Sequence, residues 1–316
     1  MIRTRLFAPQ YWLYGLCVTL CFLITGFADS PTAPYLLVLG IAQDGGAPQA
    51  GCRKICCRDR WNDPQLHHRV SCLAIVDPIS SERWLIDATP DFKAQLGALD
   101  EIAPAAKLSG IFLTHGHIGH YTGLMHLGRE AIGAREVSVY AMPRMEKFLT
   151  ANGPWEQLVQ LKNIALLPMR NDSSTRLNDR IRITPFLVPH RDEYTETVGF
   201  RISGPNRSVL FIPDIDKWEK WERRIEEMIG KVDVAYVDGT FYADGEIPGR
   251  NMKEIPHPFM METMERFAAL PATEKSKVRF IHLNHTNPAL RPESPVARTI
   301  EQSGFRIAME GERVTL

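Results

Sequence analysis

Thr114-His115-Gly116-His117-Ile118-Gly119-His120 closes the largely apolar run Leu108–Leu113 and places three imidazoles within six residues. A short apolar run that ends in glycines predicts a buried strand opening into a loop. Neutral imidazole is the commonest protein ligand for transition metals. His115 and His117 alternate, so both can face one ion, while His120 can turn toward a second. A lone histidine is ordinarily a surface or hydrogen-bonded core residue. Three at this spacing, directly after a strand, read instead as a ligand cluster.

The full 316-residue sequence is that of an ordinary globular protein, 44% apolar and 23% charged. Its 37 basic and 37 acidic side chains balance, which argues against nucleic acid or an anionic membrane surface as a main partner. Residues 1–28 differ from the rest. Arg3 and Arg5 precede the uncharged apolar run Tyr11–Phe27, and Gly26-Phe27-Ala28 offers the small residues of a signal-peptidase site. The expectation is a signal peptide over 1–28, export to the periplasm or medium, and one domain over 29–316. An uncleaved membrane anchor is the alternative, although the run is short for a bilayer span.

Downstream, strand and helix patterns alternate without repeats. Strands are expected at Tyr35–Ile41, Ser71–Val76, Trp84–Asp87, Gly110–Leu113, Val137–Ala141, Ile181–Val188, Thr197–Ile202, Ser208–Ile212, Val232–Val237 and Val278–Leu283. Helices are expected at Thr122–Glu130, Arg144–Ala151, Trp218–Ile229, Pro258–Leu270 and Pro295–Ser303. Five of the strands run into chemistry-bearing residues: the histidine cluster, His190, Asp214, Asp238 and His285. Loops leaving one edge of a rigid sheet can bring such residues to a shared cleft.

This ordered pattern over Tyr35–Leu316 resembles the metallo-β-lactamase superfamily, an α/β fold built as an αββα sandwich. Within it the chain is most similar to the branch of the pyrroloquinoline-quinone biosynthesis protein B, with phosphoribosyl cyclic phosphodiesterases and ribonuclease Z as relatives. The segments that carry the likeness are Leu39–Gln49 with the cysteines behind it, Leu85-Ile86-Asp87-Ala88, Val237-Asp238-Gly239-Thr240-Phe241 and His257-Pro258. The resemblance implies that His115, His117 and His190 hold a first metal, and that Asp214 bridges to a second completed by His120 and His285. Asp214, His285 and Asp238 are its implied catalytic residues. Asp87 is expected to orient the histidine loop or to serve as a simple turn residue. The family motif has aspartate where this chain has Gly119. Either the second site is then weakened, or another carboxylate such as Asp44 or Asp238 stands in. If a ligand is simply missing, Gly119→Asp should raise the metal content.

The mature cysteines are Cys52, Cys56, Cys57 and Cys72. By the same resemblance, Cys52, Cys56 and Cys57 with His257 form a closed structural metal site, a disulfide being the alternative open to an exported protein. Cys72 lies in an expected core strand and reads as a buried thiol, and His282 as a hydrogen-bonded core residue.

The function implied is that of an exported metal-dependent hydrolase, in which a metal-bound hydroxide attacks an ester, amide or phosphodiester. Zinc is the expected metal, as one or two catalytic ions with a structural one at the cysteines. Iron and manganese suit the same ligands. The expected partner is a small-molecule substrate, and membrane contact follows only if residues 1–28 stay attached. A quinone-precursor oxidation or handling role and a non-catalytic binding role are the alternatives.

Overall fold

In β1 (Tyr35–Gly40) alternate side chains enter two different cores: Leu36 and Val38 join one apolar cluster, Leu37 and Leu39 the other. β2 (Cys72–Asp77) repeats the division, with Leu73 and Ile75 on one face and Ala74 and Val76 on the other. A strand with period-two side chains and both faces apolar must lie between two layers. The computed structural model describes residues 32–316, which belong to one compact unit. The expected signal peptide over 1–28 lies outside the described residues. Among the described residues no helix is long and apolar enough to cross a membrane.

The first sheet continues through β3 (Glu82–Ile86), β4 (Lys107–Phe112), β5 (Val137–Ala141) and β6 (Ile164–Pro168). The second contains β7 (Thr175–Arg176), β8 (Arg182–Leu187), β9 (Val198–Ser203), β10 (Ser208–Ile212), β11 (Val234–Asp238), β12 (Val278–Ile281) and β13 (Arg306–Ile307). The last strand, β14 (Arg313–Thr315), returns to the first sheet and pairs antiparallel with β1. Strand orders are β14-β1-β2-β3-β4-β5-β6 and β13-β12-β11-β10-β9-β8-β7. Each sheet is parallel over one half and antiparallel over the other.

The inner faces of the two sheets meet in the larger core, where Trp84 and Phe112 of the first sheet join Ile183, Phe200 and Ile202 of the second. Helices Phe92–Ile102 and Pro143–Ala151 cover the outer face of the first sheet with Phe92, Leu99, Met145 and Leu149. Helices Met260–Arg266 and Pro295–Gln302 supply Met264 and Ile300 to the core of the second. This is the αββα sandwich of the metallo-β-lactamase type.

Two expected helices are altered. Trp218–Ile229 is broken into a 3-10 turn at Trp218–Lys220 and a short helix at Ile225–Ile229. Its two indoles are pinned to different elements, Trp218 Nε1 to Thr263 Oγ1 at 2.9 Å and Trp221 Nε1 to the Leu187 carbonyl at 3.0 Å. The segment after the histidine cluster is a helical turn, Ile118–Tyr121, followed by 3-10 structure over Thr122–Leu127. Gly123 there presses against the chain at Ala88 and Thr89, and a Cβ on it would meet the Thr89 carbonyl oxygen at 2.2 Å.

Candidate metal centre

The chemistry-bearing residues sit where strands of both sheets end. β4 stops at Phe112 and releases the histidine loop, β8 leads to His190, β10 to Asp214, β11 to Asp238 and β12 to His282. His282 at the end of β12 and Asp87 just after β3 are held in the left-handed backbone region, at φ 65° and 71°. Strain of this kind persists only where surrounding contacts over-determine it.

His115, His117, His190 and Asp214 each present one ligand atom, and the four atoms lie within 4.8 Å of one another. His115 Nε2 lies 2.8 Å from His117 Nδ1 and 3.4 Å from Asp214 Oδ2, and His190 Nε2 lies 3.3 Å from Asp214 Oδ1. The opposite nitrogens of His115 and His117 meet a partner, and that of His190 faces a carboxylate without a hydrogen bond. His115 Nδ1 meets Thr114 Oγ1 at 3.0 Å, His117 Nε2 meets Glu193 Oε2 at 2.9 Å, and His190 Nδ1 lies 3.3 Å from Asp216 Oδ1. Such outer contacts fix ring tautomer and orientation in metal sites. The inward atoms His190 Nε2 and Asp214 Oδ1 are buried and make no hydrogen bond among the described residues.

A second knot lies alongside, formed by Asp44, His120 and His282. His120 Nε2 is 3.3 Å and His282 Nε2 is 3.7 Å from Asp44 Oδ1, and both nitrogens are 3.9 Å from Asp214 Oδ2. Behind them, His120 Nδ1 contacts Asp87 at 2.7 Å and His282 Nδ1 contacts Thr240 Oγ1 at 3.1 Å. Asp87 also accepts from the Thr114 amide at 2.8 Å, so it fixes the start of the histidine loop as well as one ring.

Charge in this region is lopsided. Asp44, Asp87, Asp214, Asp216 and Asp238 crowd one interior, and of the five only Asp44 is more than slightly exposed. Burial opposes the ionised form of Asp214, but His190, His257 and His282 hold it well below the usual carboxylate range. Asp44 is likewise held low against burial by His120 and His282. Burial also disfavours a charged His120, yet Asp87 and Asp44 raise its pKa to about 10. Histidines thus act as counter-charges to buried carboxylates. Facing, partnerless nitrogen and oxygen atoms in such an anionic setting suit a divalent cation of zinc type.

Three histidines stand elsewhere than the sequence implied. His285 joins Cys52, Cys56 and Cys57 and not the second knot. His282, expected to be a plain core residue, takes that place. His257, expected with the cysteines, lies against Asp214 Oδ1 at 3.2 Å and Asp238 Oδ2 at 2.8 Å. The cause is a strand boundary. β12 ends at Ile281, and Leu283 exchanges backbone hydrogen bonds with Ile41 and Gln43 at 2.8 Å each. His282 therefore leaves the sheet beside Asp44, and His285 reaches the cysteine segment. Two histidines three apart after an apolar strand carry the signal for this division of labour.

Asp238, expected to be catalytic or a stand-in ligand, has both oxygens engaged. Oδ1 accepts from the Thr240 amide and hydroxyl at 2.8 and 2.7 Å, and Oδ2 from the Ile215 amide at 3.1 Å and His257 Nδ1. It sets the peptide after Asp214 and holds a proton on His257, whose pKa rises to about 9 because Asp238 and Asp214 outweigh burial. Gly119 has no room for a side chain, since a Cβ there would lie 2.0 Å from Asp44 Oδ1. A side chain introduced at 119 would therefore meet Asp44 before it could reach a metal.

The four cysteines Cys52, Cys56, Cys57 and Cys72 are free thiols, not disulfides. Cys52 Sγ and Cys56 Sγ are 3.6 Å apart, and Cys57 Sγ accepts from the Gln49 amide at 3.5 Å. Burial and the crowding thiols push Cys57 up to about 12. Asp44 and Cys52 share one segment, His282 and His285 the other, and a bridge between Ala42 and Leu283 ties the two together.

A cleft of about 440 Å³ opens on the knots, floored by Asp44 and His117 and walled by Tyr121, Phe148 and Trp155. Tyr121 packs 4.9 Å from Trp155 and 5.4 Å from Phe148 between ring centroids. Arg191 stands at the rim, its Nη2 3.5 Å from His117 Nδ1.

Residues 82–283 match the family described as the beta-lactamase superfamily domain. The chain is 28% identical to the coenzyme PQQ synthesis protein B of Methylobacterium sp. strain 4-46, over 89% of this chain and 99% of that protein. In fold it is similar to the Zn2+-bound PqqB of Methylobacterium extorquens, with a TM-score of 0.74 at 21% identity over 89% of this chain and 100% of that one. A diphosphatase of the PhnP family gives a TM-score of 0.62 at 22% identity, covering 90% and 97%. The chain belongs to the beta-lactamase superfamily, in its metallo-β-lactamase form, and within that superfamily it is PqqB-like.

Proposed function

We propose that the protein is a metal-dependent hydrolase of a small substrate carrying an ester, amide or phosphodiester bond. The observation that carries this reading is the convergence of His115, His117, His190 and Asp214 within 4.8 Å at the foot of an open cleft. Three nitrogens and one oxygen would hold a zinc ion, which supplies Lewis acidity and lowers the pKa of a coordinated water to about 7. The protein's own groups do the rest. Glu193 and Thr114 hold the rings of His117 and His115 in register, and Asp238 keeps a proton on His257 Nδ1 beside Asp214. Tyr121, Phe148 and Trp155 offer an apolar wall, and Arg191 offers positive charge for an anionic substrate.

A second reading rests on the 28% identity to a protein named for coenzyme PQQ synthesis, namely oxidation or handling of a quinone precursor. One experiment separates the two. Protein recovered without added metal is analysed for metal content, then assayed against esters, lactones and phosphodiesters, with and without oxygen, beside His117→Ala. Oxygen-independent turnover that disappears in His117→Ala is expected. Metal-free wild type, or undiminished turnover in His117→Ala, would remove the hydrolase reading.

A further inference from the structure

The family aspartate is missing at 119, yet the space it would enter is filled. A Cβ on Gly119 would stand 2.0 Å from Asp44 Oδ1, 2.7 Å from Asp44 Cα and 2.8 Å from its Cγ. The contact involves the Asp44 backbone, so no rotamer change relieves it. Asp44 Oδ1 is buried and makes no hydrogen bond among the described residues. The same holds for the two nitrogens it faces, His120 Nε2 and His282 Nε2. Three inward polar atoms from three separate segments, all lacking partners, are costly in an interior unless something else satisfies them. Their opposite faces are already held by Asp87 and Thr240. Asp238, the other carboxylate expected as a stand-in, has no free oxygen.

We infer that Asp44 is a relocated ligand: with His120, His282 and Asp214 it holds a second divalent cation, and residue 119 is glycine because Asp44 occupies its side-chain volume. The carboxylate is thus delivered from the loop after β1 and not from the histidine segment itself. The inference deepens the hydrolase reading of the first centre and rests on it.

The test is metal stoichiometry, not turnover. Wild type, Asp44→Asn, Gly119→Asp and His117→Ala are stripped with chelator, titrated with zinc and analysed by elemental analysis. Asp44→Asn is nearly isosteric, and its stripped form should melt with stripped wild type while binding about one equivalent less zinc. Gly119→Asp should gain none and melt lower, because the clash remains. Asp44→Asn with the wild-type complement overturns the inference, as does a Gly119→Asp variant that gains an equivalent and melts with wild type. His117→Ala reads the first centre separately. Loss of zinc there but not in Asp44→Asn leaves the hydrolase reading standing and removes this one, and loss in neither removes both.

Discussion

His120 Nδ1 and Asp87 Oδ2 lie 2.7 Å apart with both side chains fully buried, and Asp87 adopts a positive φ of 71° to reach that position. The carboxylate serves the ring, the Thr114 amide and the Thr114 hydroxyl together. Asp87→Asn keeps the shape and removes the charge. It should weaken zinc binding at the Asp44–His120–His282 knot by about 10–100-fold, the usual effect of losing a residue that orients a metal ligand. Because a buried pair is broken, stability should fall by roughly 3 kcal/mol. Competitive chelator titration and urea unfolding measure the two effects.

Glu246 gives a pH prediction away from the metal ligands. Burial raises its pKa to about 7, although the Thr286 hydroxyl and the Tyr242 amide both donate to it. An acid whose folded pKa exceeds its unfolded value binds more protons when folded. Its contribution is therefore favourable at low pH and is lost as pH rises from the unfolded value of 4.5 toward 7. Glu246→Gln should stabilise the protein at pH 8 by about 1–3 kcal/mol and change little near pH 4.5. Urea denaturation at the two pH values decides it. An equal shift at both would show that ionisation is not the cause.

The cleft wall should govern substrate binding without touching the metal ligands. Trp155→Ala removes a ring that packs against both Tyr121 and Phe148. A lost aromatic contact of about 1.5 kcal/mol corresponds to a KM raised roughly tenfold. Zinc stoichiometry should stay at the wild-type value. Arg191→Ala should raise KM for anionic substrates and leave neutral ones nearly unaffected. Steady-state kinetics on matched charged and neutral esters tests both.

Phe112 ends β4 with its ring stacked 4.1 Å from Tyr140 and edge-on to Phe200 at 6.0 Å. It joins the two sheets two residues before the histidine loop begins. Phe112→Ala should cost about 3–5 kcal/mol by opening a cavity between them. Urea unfolding of the zinc-stripped protein isolates that packing loss from any change in metal affinity.

Local sequence carried the sheets well and the ligand assignment less well. Val137–Ala141 and Ser208–Ile212 were legible to the residue because their apolar runs stop at sharp breaks, Met142-Pro143 and Pro213. The strand Ile164–Pro168 and the helix Phe92–Ile102 are not legible in the sequence, the first because its side chains are mostly half-buried at the end of the sheet. The helix expected over Arg144–Ala151 forms one residue longer, over Pro143–Ala151, with proline at its first position. The histidine triad was legible from spacing and resemblance together. The roles of His257, His282 and His285 were not, because each depends on where a chain turns after a strand. A two-residue error in the end of β12 is enough to exchange one histidine for another. The steric exclusion at Gly119 is invisible to any linear reading, since Asp44 lies far away in the chain.

Asp44 and Cys52 stand on one segment, His282 and His285 on the other, and the Ala42–Leu283 bridge joins the two. The cysteine cluster and the histidine knot are therefore hung from the same pair of straps. Slack introduced at one end travels a short, covalent distance to the other. Zinc should then leave these two places in concert under rising chelator, as one steep step, while the ion at His115, His117 and His190 departs on its own curve.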